Sequence, residues 1–331
     1  MTQTPLGDGL RERTRWLALR LGPLLGLIAV YILFALIGPE SFSTFQNLET
    51  IARQTAIVGT AALGMTMIII AGGIDLSAGS MIALVTVVIA ASLQAGIPPF
   101  WAAILGVLAA AFGGFVNGFL ITRLRVVPFI VTLGTLLLFR GAAKGIAHEQ
   151  KIDAQLTWLK DLLAALPAGA SWRIFPTGVW IMLLLAVAVA AVLRYTRLGR
   201  HVIAVGSSEQ TARLCGVPVE RIKILVYTLG GAFAGMAGVF QFSRLTVGDP
   251  TVAMGAELDV IAAVVIGGGS LSGGEGSVLG TIVGAVIMTV IRSGCSQMGL
   301  PNWVQEIVTG SIIVIAVALD RLRHRKQHDF S

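Results

Sequence analysis

Charge is scarce in this chain. Asp, Glu, Lys and Arg make up 12% of its 331 residues, about half the share found in an ordinary soluble domain. The hydrophobic 55% could not be hidden inside a soluble fold, whereas a bilayer solvates it directly. Cysteine is nearly missing: Cys215 and Cys295 lie far apart without metal-ligand neighbours, which excludes a disulfide framework or a zinc site. There is no Gly-x-x-x-x-Gly-Lys-Ser/Thr phosphate loop, so the chain does not bind and hydrolyse ATP in the usual way. No nucleophile–base pair or metal cluster suggests an enzyme. The apolar runs are uninterrupted and do not alternate, which argues against an outer-membrane barrel.

What the chain has is apolar length and glycine. Taking about 20 apolar residues per crossing, spans are expected at 16–38, 48–70, 79–95, 97–121, 127–147, 177–194, 222–242, 254–268, 276–293 and 303–320. The fold class is therefore an all-α polytopic membrane protein of about ten transmembrane helices. The first run, Leu17 to Ile37, is too long for a cleavable leader and is expected to be the first span. The 40 glycines suit such a bundle, because small residues let helix backbones approach closely in lipid.

The net charge of +7 does not point to nucleic acid, because the cations sit in short segments between spans, where they orient helices. Arg11, Arg13, Arg15, Arg20, Arg123, Arg125, Arg194, Arg197, Arg200, Arg213, Arg221, Lys223, Arg321, Arg323, Arg325 and Lys326 all fall on one side, 16 of the 24 Lys and Arg. That bias predicts both termini in the cytoplasm. Residues 1–15 and 321–331 are then cytoplasmic tails flanking a permease domain over 16–320. Its cytoplasmic loop is 195–222 and its long external loop is 148–176. That external loop carries Trp158, Trp172 and an amphipathic stretch from Leu156 to Leu163; an interfacial helix on the outer surface and a simple connector anchored by tryptophans are both open. Arg140 and Lys144 are expected to reach the outer interface by snorkelling.

Two glycine-rich interruptions are expected to break helices: Ala71-Gly72-Gly73-Ile74-Asp75-Leu76-Ser77-Ala78-Gly79-Ser80 and Gly267-Gly268-Gly269-Ser270-Leu271-Ser272-Gly273-Gly274-Glu275-Gly276-Ser277. Aligned directly they pair Gly72 with Gly267 and Ser77 with Ser272. Such paired interruptions mark internal repeats in transporters, although the span count puts both on one side, which an inverted repeat would not predict. Freed backbone groups there must face protein or a water-filled cavity. Asp75 and Glu275 either line or brace a translocation pathway or cap the helices that follow. Asn117, inside an apolar span, either bonds between helices or touches substrate. Candidate pathway residues are Asp75, Ser77, Asn117, Gly269, Ser270 and Glu275.

The polar, basic island Thr196–Lys223 needs something to bind. Within it Ser207 or Ser208 can cap a short helix, and Glu209 and Gln210 fill its first turn. Thr211 and Arg213 lie between, Ala212, Leu214 and Cys215 offer a small apolar face, and Gly216 with Pro218 stops it. About two turns cannot stand alone. The surface it lies against is either a soluble partner or its own membrane domain.

The ordered set of motifs resembles the permease subunits of ribose-type sugar ABC importers. Carrying it are Ala71 to Ser80, Asn117-Gly118, Val127-Pro128-Phe129-Ile130-Val131-Thr132-Leu133-Gly134, Gly199-Arg200-His201 through Gly206 and Ala212 to Gly216-Val217, and Val265 to Gly276. Ser207-Ser208 departs from the serine-asparagine or glycine-asparagine pair of many relatives. The resemblance implies an inner-membrane permease that works as a pair with itself or a sister chain. It implies a periplasmic sugar-binding protein and a cytoplasmic ABC ATPase, commonly with two nucleotide-binding halves, that holds the ATP and Mg. It also implies that Ser207–Gly216 is the coupling helix. A secondary carrier or passive channel is the rival, weakened by the lack of paired ionisable relays in the spans. Branched-chain amino acids are the rival substrate.

Overall fold

The computed structural model describes residues 6–165 and 175–328, with side chains described over 22–165 and 175–318. Trp172 and the cations of both termini lie outside the described side chains. Helices dominate, in the order α1 (Leu6–Ile37), α2 (Phe45–Ile70), α3 (Ala78–Gln94), α4 (Pro99–Leu124), α5 (Pro128–Ile146), α6 (Thr177–Tyr195), α7 (Arg197–Ser207), α8 (Glu209–Leu214), α9 (Val219–Leu245), α10 (Ala256–Ile266), α11 (Val278–Gln297) and α12 (Asn302–His328). Among the described residues, six helices, α2, α4, α5, α6, α9 and α11, are long and apolar enough to cross a membrane. Every expected span falls on a helix, yet α3 and α10 are short, at 17 and 11 residues. Helix begins at Leu6 and continues to His328, so the stretches read as tails are helical over most of their length.

The centre of the bundle is α9, and glycine places it there. Added Cβ atoms at Gly114 and Gly118 of α4 would strike α9 at Tyr227 and Ile224, and at Gly231 and Gly235 of α9 they would strike α4 at Ala110 and Val107. Gly230 faces Ile68 of α2, and Gly238 faces Val85 of α3. Small residues on three sides thus let one helix pack against three neighbours, the packing mode favoured in lipid. On the far side of α2, threonine hydroxyls bond directly to α11: Thr55 Oγ1 to Thr289 Oγ1 at 2.6 Å and Thr66 Oγ1 to Thr281 Oγ1 at 2.8 Å.

The external loop differs from an interfacial helix. Ile152–Asp153 (β1) pairs antiparallel with Val247–Gly248 (β2), and only a 3-10 turn forms over Trp158–Leu162. Leu159 and Leu163, four residues apart, are both fully buried. Leu163 N donates to Ser243 Oγ at 3.0 Å, and that hydroxyl donates to Lys160 O at 3.1 Å. The leucines plug into the bundle, so the segment docks on protein instead of lying on lipid.

Arg140 also departs from expectation. Its guanidinium donates to the carbonyls of Pro250 (2.9 Å) and Val252 (2.7 Å). These carbonyls belong to a non-helical stretch that runs antiparallel along α3. Gly248 packs on Ala90 and Thr86, and a Cβ on Gly79 would meet Ala253 and Glu257. Thr86 Oγ1 accepts from Asp249 N at 3.2 Å. Irregular backbone at membrane depth is tolerated only where protein or water satisfies it; here Arg140 and Thr86 do so.

Candidate functional site

Two helices, not one, occupy the polar island. Thr196 caps α7, its Oγ1 accepting from Gly199 N at 3.3 Å, and α7 buries Gly199, Val202 and Val205. Ser207 ends α7, donating to Ile203 O at 2.9 Å. Ser208, extended at φ −162° and ψ 107°, breaks the chain direction and caps α8 by accepting from Thr211 N at 3.2 Å. Of the two candidate caps, Ser208 is therefore the cap. After α8, Gly216 takes φ +80°, and Gly216 N and Val217 N close the turn onto Arg213 O and Ala212 O, the glycine-dependent stop of a Schellman motif.

The apolar face of α8 is split. Ala212 is buried against the protein, whereas Leu214 is 89% exposed and Cys215 is exposed. Gln210 faces outward as well. An ion network pins the helix to the start of α9. Arg213 reaches Glu209 at 3.2 Å and Glu220 at 2.5 Å, and Lys223 reaches Glu209 at 2.5 Å. Burial works to raise Glu209, but the Lys223 and Arg213 contacts outweigh it and hold the carboxyl below its usual range. Exposed pairs are individually weak, about 0.2–1 kcal/mol; three sharing two residues fix an orientation.

At the other end of the Ser207–Ser208 corner, α7 meets both interruptions. Gly274 N donates to Ile70 O at 2.9 Å, joining the second interruption to the end of α2. Gly206 sits against that bond: its added Cβ would overlap Ile70 O and lie 2.6 Å from Gly274 N. A Cβ on Gly273 would come within 2.6 Å of Gly206 O and 3.0 Å of Gly72 Cα, and one on Gly274 within 2.6 Å of Ser207 Oγ. Backbone thus touches backbone at a single point shared by α7 and both interruptions. Residue identity could not show this convergence beforehand; glycine at 206, inside an amphipathic helix, was its only trace.

Both interruptions end a helix in the same way. Gly72 (φ +78°) and Gly268 (φ +90°) each follow a helix, with Gly73 N bonding Ile68 O and Gly269 N bonding Val264 O. The structural equivalence is Gly72 with Gly268, one residue away from the direct alignment. Beyond the stop, Asp75 Oδ1 accepts from Ser77 N at 2.8 Å and Ser77 Oγ at 2.6 Å, and Asn117 Nδ2 donates to Ser77 Oγ at 2.9 Å. Ser270 Oγ accepts from Ser272 N at 3.2 Å, a turn of the same form. Asp75, Ser77 and Asn117 are buried together, and Tyr227 and Thr132 hold the neighbouring Ile74 O at 3.2 and 3.3 Å. Ser270 and Gly269 are buried, while Glu275 is exposed. Tyr227 and Thr132 were not singled out as site residues, since an aromatic and a threonine in apolar spans look like packing.

A family model described as branched-chain amino acid transport system / permease component matches residues 47–317. The ribose import permease protein RbsC of Escherichia coli is 38% identical over 296 residues, covering 89% of this chain and 92% of that protein. The fructose import permease protein FrcC of Rhizobium meliloti is 37% identical, covering 90% and 84%. The D-allose transport system permease protein AlsC of Escherichia coli is 33% identical, covering 89% and 90%. No solved structure matches.

Proposed function

The chain belongs to the branched-chain amino acid transport system / permease component family, and from that premise we propose that it is the membrane subunit of an ATP-driven monosaccharide importer. Relatives named for ribose, fructose and allose, each matched over most of both chains, support a sugar over an amino acid. The subunit sits in the inner membrane with both termini cytoplasmic. It pairs with a second copy or a sister permease, receives sugar from a periplasmic binding protein, and is driven by a cytoplasmic ATPase that holds ATP and Mg.

The observation that carries the coupling role is α8 itself. A capped helix of six residues presents a leucine outward on a polar face and is clamped to α9 by ions. Besides that clamp, the chain leads back from α8 through α7 to the glycine contact at Gly206. Closure of the ATPase on ATP would displace α8. The corner at Ser207–Ser208 would then pass that motion, as a rigid-body shift, to Ile70 and Gly274, and so to α2 and α10–α11 together. Neutral sugars need no charged anchor, and weak polar contacts suit passage. We assign Asp75, Ser77 and Asn117 as the brace behind the pathway, with Gly269, Ser270 and Glu275 bordering it.

Combining Arg213→Glu with Leu214→Ala tests this. Reconstituted with the ATPase and binding protein, the variant is expected to lose sugar uptake while the ATPase retains its nucleotide turnover. Full uptake from a normally assembled complex would sink the coupling role. Offering the binding protein leucine-type amino acids as well as pentoses and hexoses decides between substrate classes.

A further inference from the structure

On the face that carries α8, but turned toward the membrane, the ends of α4 and α9 enclose a second feature. Helix α4 stops at Leu124, and Arg125 takes a left-handed conformation, φ +52°. A cavity of about 440 Å³ there is lined by Thr122, Arg123, Arg125, Glu220, Arg221 and Ile224. Three arginines thus line one small cavity with a single carboxylate, Glu220, which pairs with Arg213 and is also attracted by Arg125. Among the described residues, none of the three makes an ion pair. Gathering like charges this way is unfavourable unless an anion enters, and the planar arginine fork matches phosphate oxygens in pairs.

The surroundings say which phosphate. Phe112, Phe115 and Phe119 form a continuous outward stripe on α4, with ring centroids 6.3 and 6.1 Å apart, and all three are exposed. Arg123 closes the stripe, its Cζ lying 5.8 Å from the Phe119 centroid. Beyond the arginines, Leu124 and Val127 are also exposed. A soluble phosphate would gain nothing from this rim. A phospholipid would place its headgroup among the arginines and lay an acyl chain along the phenylalanines, which extend about 10 Å into the bilayer at 1.5 Å per residue.

We propose that Arg123, Arg125 and Arg221 form a binding site for the phosphate of an anionic phospholipid, whose acyl chain runs along Phe119, Phe115 and Phe112. Basic pockets between membrane helices hold anionic headgroups in this manner. The site borders α8, since Arg125 also lines the groove of Glu209, Gln210, Arg213 and Leu214; a bound lipid would buttress the α4 end of α9 at the edge of the partner surface.

The test uses the full chain purified with its ATPase and measures retained lipid by native mass spectrometry, with phosphatidylglycerol against phosphatidylcholine. Wild type is expected to retain phosphatidylglycerol selectively, and inorganic phosphate is expected not to displace it. Arg123→Gln, Arg125→Gln and Arg221→Gln together should weaken that retention on the order of 100-fold, three charges at about fivefold each, with the ATPase still attached. Equal retention of the two lipids by wild type, or displacement by inorganic phosphate, overturns the site. So does a triple variant that keeps phosphatidylglycerol but loses the ATPase or its permease partner, which would make the groove a protein contact. Should the triple variant fail to assemble, Arg221→Gln alone and the wild-type selectivity carry the decision.

Discussion

Adding one methyl group at Gly206 should damage transport more than removing many atoms elsewhere on the loop. In Gly206→Ala, the new Cβ overlaps Ile70 O and lies 2.6 Å from Gly274 N and 2.9 Å from Ile70 C. All three are backbone atoms, so no side chain can rotate away. Relief requires either prising α7 off the interruptions or breaking the 2.9 Å bond from Gly274 N to Ile70 O. Overpacking of this kind costs about 1–3 kcal/mol, and a lost hydrogen bond about another 1 kcal/mol. A shift of roughly 2–4 kcal/mol changes the balance between two conformations by about 30- to 1000-fold. The assay is ATP-dependent sugar uptake in proteoliposomes beside ATPase turnover in the same vesicles, with Gly134→Ala and Gly141→Ala as comparisons, since a Cβ at either meets nothing within 4 Å. Uptake should fall strongly at 206 and stay near wild type at 134 and 141, with ATP still consumed. Equal uptake in all three variants would refute the backbone contact as the route of coupling.

Two further outcomes follow from the site. Asn117→Ala removes the donor to Ser77 Oγ and leaves the buried Asp75 group short of a partner; a loss of about 1–3 kcal/mol, read as a lower midpoint of thermal unfolding in nanodiscs, is expected, and an unchanged midpoint would remove its role as a brace. For pH, the lowered Glu209 carboxyl contributes stability above its unfolded value and loses it only as pH falls through the lower folded value. The α8–α9 clamp should therefore hold between about pH 5 and about pH 8, measured as ATPase affinity for the permease. A transition inside that range that Glu209→Gln abolishes would contradict the ion network.

Much of the bundle was legible because apolar run length is a direct demand of the bilayer. The two helix stops were visible as glycine clusters, and the α8 cap as a serine before Glu209. What escaped depended on distant partners. Arg140 looked like a snorkelling residue because its acceptors, the carbonyls of residues 250 and 252, lie more than a hundred positions away. Leu159 and Leu163 suggested a surface helix, since spacing alone cannot tell a face on lipid from a plug in protein. Pairing Gly72 with Gly267 followed the letters, whereas φ pairs Gly72 with Gly268. Helix α7 was hidden by its charge, although Val202 and Val205 stand three apart on its buried face.

The irregular stretch before α10 bears on how the protein is made. With 11 residues, α10 is about 16 Å long, roughly half the hydrocarbon thickness. An insertion machine that releases one complete span at a time has no complete span to release here. The carbonyls of Pro250 and Val252 would enter lipid bare unless the Arg140 guanidinium, synthesised long before, were already in position. The last quarter of the chain therefore depends on α3 and α5 to satisfy its irregular backbone, and a single arginine supplies two of those contacts.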